Sequence, residues 1–314
     1  DPVSARLQAP LERLEQERLR MKAAGAKKGI ILGAIILGAG GIPVYLWAGW
    51  IGTVILAAVA VASFFLSVSS KTAALNAPYK NEVIAALVDA ASPGARYAPG
   101  EGIGEEVFNR SGLFGVRPDR YHTEDLIEGE INGTAFRFAE VHAEEKRTST
   151  DSKGRTRTYW VDIFKGFLFT ADFGRPFQGA TTVYRNSWIK LRFGTQRVKL
   201  ESPEFEKRFD VYGDDPVEAR YLLTPLMMER IVTLDQRFGQ GLTLSFRGQE
   251  IIVAIADATD HFEAGIWRPV TDRTRLEREF ETIRSLCGIV EELKIKAKPQ
   301  AYDPASGSQD APGV

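Results

Sequence analysis

The sequence predicts an α+β protein: an N-terminal two-helix transmembrane hairpin, then a cytoplasmic domain of antiparallel sheet with flanking helices. Three observations predict it. Gly29 to Ser70 contains no Asp, Glu, Lys, Arg or His and lies between Lys27-Lys28 and Lys71. From Asp125 onward the apolar period is two, with an Asn132-Gly133 turn signal. Helical spacing of three and four returns in segments that flank this block, most clearly in Leu276, Phe280, Ile283, Cys287, Val290 and Leu293.

The uncharged run is about twice the roughly 20 residues that one span needs. A hairpin with spans at about 29–46 and 51–69 accounts for it, the turn lying near Gly40, Gly41 and Pro43. Tyr45, Trp47 and Trp50 follow the turn and suit the headgroup level, where an aromatic ring is apolar at one end and wet at the other. A single tilted helix would overshoot a bilayer of about 30 Å, and a cleaved signal peptide is shorter and lacks a long charged arm before it. Basic residues mark the inner side: Arg18, Arg20, Lys22, Lys27 and Lys28 precede the run, and Lys71 and Lys80 follow it. Both ends should then be cytoplasmic, with almost nothing on the far side. Gly29 and Gly33 form a GxxxG pair that lets helices approach, within one hairpin or between subunits. The spans hold no ionisable group, which argues against a transport path.

The chain has 314 residues and a net charge of −1. Residues 1–28 hold seven basic and four acidic groups, and the uncharged run holds none, so the remainder carries −4. A mildly acidic soluble part argues against nucleic-acid binding, whereas the basic arm suits an anionic inner leaflet. Cys287 is the only cysteine, so no intrachain disulfide or cysteine-cluster zinc site can form. Its apolar helical surroundings read as a buried structural thiol. Neither a cofactor nor a metal site is expected.

Taken in order, residues 1–28 read as a charged helical arm with Leu7, Leu11 and Leu14 on one face, fit for a membrane surface, a neighbouring subunit or plain solvent. Residues 71–118 read as juxtamembrane helices. Asn76-Ala77-Pro78 should break one helix and start another, which Ser92-Pro93-Gly94 ends, and a short helix should cover Gly102–Arg110. The domain at 119–295 opens with a hairpin, Leu126–Ile131 and Thr134–Ala143, around Asn132-Gly133. A charged loop at Glu144–Arg157 should follow. Strands are expected at about 158–171, 181–185, 188–193, 197–200 and 209–212, then helices after Asp215-Pro216 and Thr224-Pro225. A hairpin at 242–256, a strand at Phe262–Trp267 and a helix over 272–295 with a Thr274/Glu277 capping box complete the domain. Residues 296–314 form a Pro/Gly/Ser-rich tail of disordered composition.

Candidate chemistry is sparse. Glu140, His142 and Glu144 alternate on one strand face and could hold a metal or pass a proton, but a solvated sheet edge explains them as well. His122 beside Glu124 and Asp125, and His261 beside Asp260, read as local hydrogen bonding. Lys146, Arg147, Lys153, Arg155 and Arg157 make a basic loop opposed by Asp151, suited to lipid headgroups or an acidic partner. Gly100–Gly104 has neither P-loop nor dinucleotide spacing, and no G-x-S-x-G, H-E-x-x-H or kinase pattern occurs.

A succession of phrases carries a resemblance: Tyr121-His122-Thr123-Glu124-Asp125-Leu126-Ile127-Glu128-Gly129, Phe138-Ala139-Glu140-Val141, Phe164-Lys165-Gly166-Phe167-Leu168-Phe169, Phe209-Asp210-Val211-Tyr212 and Leu222-Leu223-Thr224-Pro225-Leu226-Met227-Met228-Glu229. With the arm and apolar run before them, they resemble the bacterial domain-of-unknown-function family 3137 over about residues 5–295. The resemblance implies an inner-membrane protein with a cytoplasmic α+β domain, no known activity, and, for some members, a link to LemA-type membrane proteins.

The expected function is a membrane-anchored scaffold or adaptor without recognisable catalysis, partnered by the lipid bilayer and by copies of itself or another membrane protein. A lipid-headgroup or ligand-binding domain held under the bilayer is the second reading. An enzyme of unrecognised type, using Glu140 and His142, is the third.

Overall fold

The computed structural model describes residues 2–186, 196–239 and 241–295. The strand expected at 188–193 and the tail at 296–314 lie outside the described residues. The chain forms two compact units. The first comprises residues 1–101, 124–127 and 258–287, and the second comprises 102–123, 128–257 and 288–314. A protein that is α+β, with a long N-terminal helix and a large antiparallel sheet, is what the fold shows.

In the first unit, α1 (Pro2–Ser69) is one helical element of 68 residues that takes in the arm, Pro43 and the whole apolar run. Two helices separated by a turn at Gly40–Pro43 were expected; that stretch is helical, and the non-helical residue is Gly49, at φ 64 and ψ −155. Only glycine adopts that backbone without strain. In a straight helix, Gly29 and Phe64 would stand about 50 Å apart. Instead, a Cβ on Gly29 would lie 2.8 Å from the Phe64 Cα. One on Gly25 would lie 2.9 Å from the Ser67 carbonyl oxygen, and one on Gly33 3.7 Å from the Ala60 Cβ. Residues before Gly49 therefore lie alongside residues after it, in antiparallel order. Leu7 and Leu14 are buried, so the apolar face of the arm is covered within this unit.

The chain continues through α2 (Thr72–Tyr79), a π-helical turn (Lys80–Ile84) and α3 (Ala85–Ala91). The expected break at Asn76-Ala77-Pro78 does not occur, for Pro78 sits inside α2. The irregularity comes just after it, as the π turn. A short strand, β1 (Arg96–Ala98), precedes backbone bonds from Asp125 and Leu126 to the Pro99 and Glu101 carbonyls.

In the second unit, α4 (Glu105–Arg110) leads into the sheet strands β2 (Arg120–Ile131), β3 (Thr134–Thr150), β4 (Thr156–Asp172), β5 (Thr181–Arg185) and β6 (Gln196–Val198). Helix α5 (Pro203–Arg208) and strand β7 (Phe209–Gly213) come next. Helices α6 (Pro216–Leu222) and α7 (Pro225–Arg237) precede strands β8 (Leu242–Arg247) and β9 (Glu250–Ala256). The strand order from β2 is β2-β3-β4-β9-β8-β5-β7-β6. Asn132 (φ 52) and Gly133 (φ 77) supply the two positive-φ positions of the β2–β3 turn. Phe136, Phe138, Phe167 and Phe169 pack together in the core between β3 and β4. Gly166 has φ 144, and a Cβ there would stand 2.1 Å from the Ile255 carbonyl oxygen, so the β4–β9 approach requires glycine.

Three local expectations are corrected. The charged loop at 144–157 is mostly strand: β3 and β4 stay paired out to Thr150 and Thr156, as β-branched Thr148, Thr150, Thr156 and Thr158 favour. The strand at Phe262–Trp267 is absent, and Phe262 takes φ 59 there. The last helix is split at Gly288 into α8 (Arg273–Cys287) and α9 (Ile289–Glu292). Its start is capped by Asp272, whose Oδ1 accepts from the Thr274 and Arg275 backbone N–H groups, in place of the Thr274/Glu277 box. Helix α5 was not foreseen; Ser202 caps it through the Phe205 N–H.

Candidate functional site

The most unusual chemistry of the first unit gathers around Lys80, the first residue of the π turn. Leu75, Tyr79, Val83, Ile84, Leu87 and Val88 are buried beside it, so a lysine occupies a position of the helix's core face. π turns are rare and frequently mark functional sites. The Lys80 ammonium donates to Glu124 Oε2 and Asp125 Oδ2, each at 2.6 Å, and lies 2.9 Å from Glu263 Oε1. Asp125 is fully buried, holds φ 59 and also accepts from the Tyr97 hydroxyl at 2.5 Å. An aspartate in the left-handed region is uncommon enough to mark a constrained position.

Three carboxylates share one ammonium here. Their oxygens lie within 4.8 Å of one another, the spacing of a cation site, and the Lys80 Nζ stands among them as that cation. Burial pushes the Asp125 carboxyl up to about 6, against the hydrogen bonds from Lys80 and Tyr97, and the neighbouring Glu124 adds to the rise. Burial alone would lower Lys80, but the bonds to Asp125 and Glu124 outweigh it and hold the ammonium above its ordinary value. The cluster is a charged knot with one carboxyl close to protonation near neutral pH.

Neighbouring residues fasten the same helical segment to residues 258–287. Asn76 Oδ1 accepts from the Ala264 N–H at 3.0 Å. The Tyr79 hydroxyl donates to Glu279 Oε2 at 2.8 Å, and Arg275 bonds Glu279 while lying 5.4 Å from the Tyr79 ring. Helix α1 is held in the same way. Arg18 donates to the Ile266 carbonyl at 2.8 Å and pairs with Glu15, whose other contact is the Val270 N–H at 3.0 Å. The Arg18 hydrogen bonds hold the Glu15 carboxyl below its usual range. Arg13 pairs with Glu82.

The residues singled out from the sequence fall into separate places. Tyr45, Trp47 and Trp50 are exposed on α1, Lys27 and Lys28 are exposed, and Lys71 is half-buried. Gly29 faces Phe64 and Gly33 faces Ala60. Lys146, Arg147, Lys153, Arg155 and Arg157 are all exposed on the β3–β4 ribbon. Arg147 pairs with Glu145 and Arg155 with Asp151, which lowers the ribbon's effective positive charge. His142 Nε2 lies 2.8 Å from Asp162 Oδ1, while Glu144 pairs with Arg120 at 3.1 Å. A register shift at Ala143/Glu144 brings Asp162 level with them. An open groove of about 550 Å³ lies elsewhere, between Glu106 and Arg117, and includes neither Glu140 nor His142 in its lining. Burial pushes the Cys287 thiol up to about 12, as an inert structural cysteine requires.

Sequence reasoning missed Lys80, Glu124, Asp125 and Glu263 as a group, and Trp267. In the sequence Lys80 stands out only as a charge marking the inner side. Its place four residues before Ile84 and eight before Val88, on an apolar helical face, was the available signal.

No curated protein matches the chain. Among solved structures, the crystal structure of the mycobacterial trehalose monomycolate transport factor A, TtfA, is similar with a TM-score of 0.36 and 14% identity, over 72% of this chain and 98% of that one. Residues 162–295 match the family model described as "Protein of unknown function (DUF3137)", the family that the sequence resembles.

Proposed function

We propose that the protein is a membrane-anchored accessory protein at the cytoplasmic face of a bacterial inner membrane, acting as a scaffold or adaptor rather than as an enzyme. In this reading α1 crosses the bilayer twice, out to Gly49 and back, with both flanks cytoplasmic. The observation that carries it is the surface of α1. The helix is long and apolar enough to cross a membrane, with only 17% of its most apolar window buried. Ile30, Ile35, Ile42, Leu46, Val54, Ile55, Val61 and Leu66 all face outward. Water does not tolerate an apolar surface of this extent, and a bilayer does. The flanks of the same helix are charged and fastened by Arg18, Glu15 and Arg13.

The scaffold part of the reading includes self-association. Ala34 and Gly38 form a small-xxx-small pair that faces outward, and nothing lies within 4 Å of a Cβ placed on Gly38. Gly29 is already packed against Phe64. Cross-linking and native mass measurement of the full chain in mild detergent test this. Oligomers, or one co-purifying membrane protein in fixed proportion, are expected; a strict monomer with no partner contradicts it.

The second reading, binding of anionic headgroups by the β3–β4 ribbon, is favoured by the exposed Lys153 and Arg157 together with the exposed rings of Tyr159 and Trp160. Replacing Lys153, Arg155 and Arg157 with Gln should then weaken binding to anionic liposomes at least tenfold, and unchanged binding removes it.

A further inference from the structure

Trp267 opens an exposed triad, Trp267-Arg268-Pro269, between buried Ile266 and Val270. An exposed tryptophan in a loop of the C-terminal half has no evident use in water. Its surroundings supply one. The indole N–H donates to Ser69 Oγ at 3.3 Å, at the last residue of α1. The ring lies 5.4 Å from the Phe65 ring, and the Lys22 ammonium lies 5.4 Å from the Trp267 ring centroid. One side chain thus touches the helix on its way in and on its way out, at a level with a lysine and a serine.

Distance along the helix gives the second argument. From Trp50 to Ser69 is 19 residues of α1, about 28 Å at 1.5 Å per residue. The hydrocarbon core of a bilayer is about 30 Å thick. Trp47 and Trp50 at one end and Trp267 at the other are therefore one hydrocarbon thickness apart. Tryptophan is enriched at both such boundaries because its ring is apolar and its N–H needs a polar partner. The partner here is Ser69, and the cation near the ring is the kind that reaches phosphate.

We infer that Trp267, with Lys22 and Arg268, is a phospholipid-headgroup contact, so that the exposed turn 267–269 lies in the inner headgroup layer and forms the second aromatic belt of a membrane stem whose first belt is Trp47 and Trp50. The segment that seats Trp267 is the one that holds Arg18, Glu15 and Asn76 through Ile266, Val270 and Ala264. Lipid contact is thereby built into the clasp at the foot of α1. This inference rests on the bilayer reading of α1 and adds the depth at which the stem sits and a contact supplied by a residue 198 positions beyond Ser69.

The test uses the full chain in lipid nanodiscs. One variant keeps Trp267 alone, the other four tryptophans being changed to Phe; a second keeps Trp47 alone, and a third keeps Trp160 alone. Lipids spin-labelled on the headgroup and acrylamide in the water serve as the two quenchers. Trp267 should be quenched at least twofold by labelled headgroups and less by acrylamide than Trp160, and Trp47 should also respond to the lipid label. Lipid quenching of Trp47 without that of Trp267 overturns the inference and leaves the bilayer reading standing. Quenching of neither overturns both. Should the multiple variants fold poorly, Trp267→Ser in the otherwise native chain gives an independent answer. It should remove part of the headgroup quenching of the native chain, and an unchanged quenching curve overturns the inference.

Discussion

The Lys80 ammonium lies 2.6 Å from Asp125 Oδ2, and the aspartate side chain has no exposure at all. Removing the lysine therefore leaves a buried carboxylate without its main partner. Breaking such a pair costs about 3–5 kcal/mol, far more than the pair contributes relative to an apolar replacement. Lys80→Met should lower stability by about that amount, and Lys80→Met with Asp125→Asn should recover at least half of it. Urea unfolding of the three proteins in the same detergent measures the difference. Equal stability of Lys80→Met and the native chain contradicts the geometry.

A pH dependence follows from the same aspartate. Its folded value is raised to about 6, above the ordinary carboxylate value of about 3.9. Between those values the folded chain binds the proton that the unfolded chain releases. Stability should thus rise as pH falls from 7 toward 5, by roughly 1.3 kcal/mol over that window, out of the roughly 3 kcal/mol that the whole shift supplies once pH is below both values. Glu15 acts with the opposite sign, because its folded value is lowered, and its contribution is lost only as pH falls through the acidic range below its ordinary value. The Lys80 contribution is present below its ordinary value and lost only in strong alkali. A melting temperature that climbs between pH 7 and 5, and no longer does so in Asp125→Asn, is the expected result.

Gly29 and Gly38 separate packing within the chain from association between chains. A Cβ on Gly29 meets the Phe64 backbone, whereas one on Gly38 meets nothing within 4 Å. Gly29→Leu should destabilise the stem by about 1–3 kcal/mol through overpacking, seen as a lower melting temperature. Gly38→Leu should leave the melting temperature unchanged and reduce the oligomer fraction on native mass measurement.

Cys287 is buried, and its thiol is pushed up to about 12. A maleimide or disulfide reagent should modify it in the unfolded chain within minutes and leave it untouched in the native one at neutral pH. Rapid native labelling would contradict the burial of Cys287 at the end of α8.

Much of the fold was legible in local signals. Asn132-Gly133 fixed a turn because two positive-φ positions suit those residues, and Asp215-Pro216 and Thr224-Pro225 fixed helix starts because cap and proline act within one turn. The α1 segment was legible as an apolar run but not as an element. Gly40, Gly41 and Pro43 read as a turn, yet a helix tolerates them and the break falls at Gly49. The ribbon of β3 and β4 was hidden because its charged residues alternate with threonines and read as loop. The Lys80 cluster was out of reach for a different reason. Its members are separated by 44, 45 and 183 positions, and only tertiary packing shows that a lone lysine on an apolar face has three carboxylates waiting for it.

The central claim, that α1 enters and leaves the membrane on one side, is tested most directly by cysteine accessibility in intact bacterial spheroplasts. Single cysteines at Arg20, Ala48 and Lys71 would be placed in a chain carrying Cys287→Ser, and a membrane-impermeant maleimide added from outside. The account predicts labelling at position 48 in intact cells, and at positions 20 and 71 only after the membrane is opened. Labelling of either 20 or 71 from outside, with the other protected, would show a single crossing and contradict it.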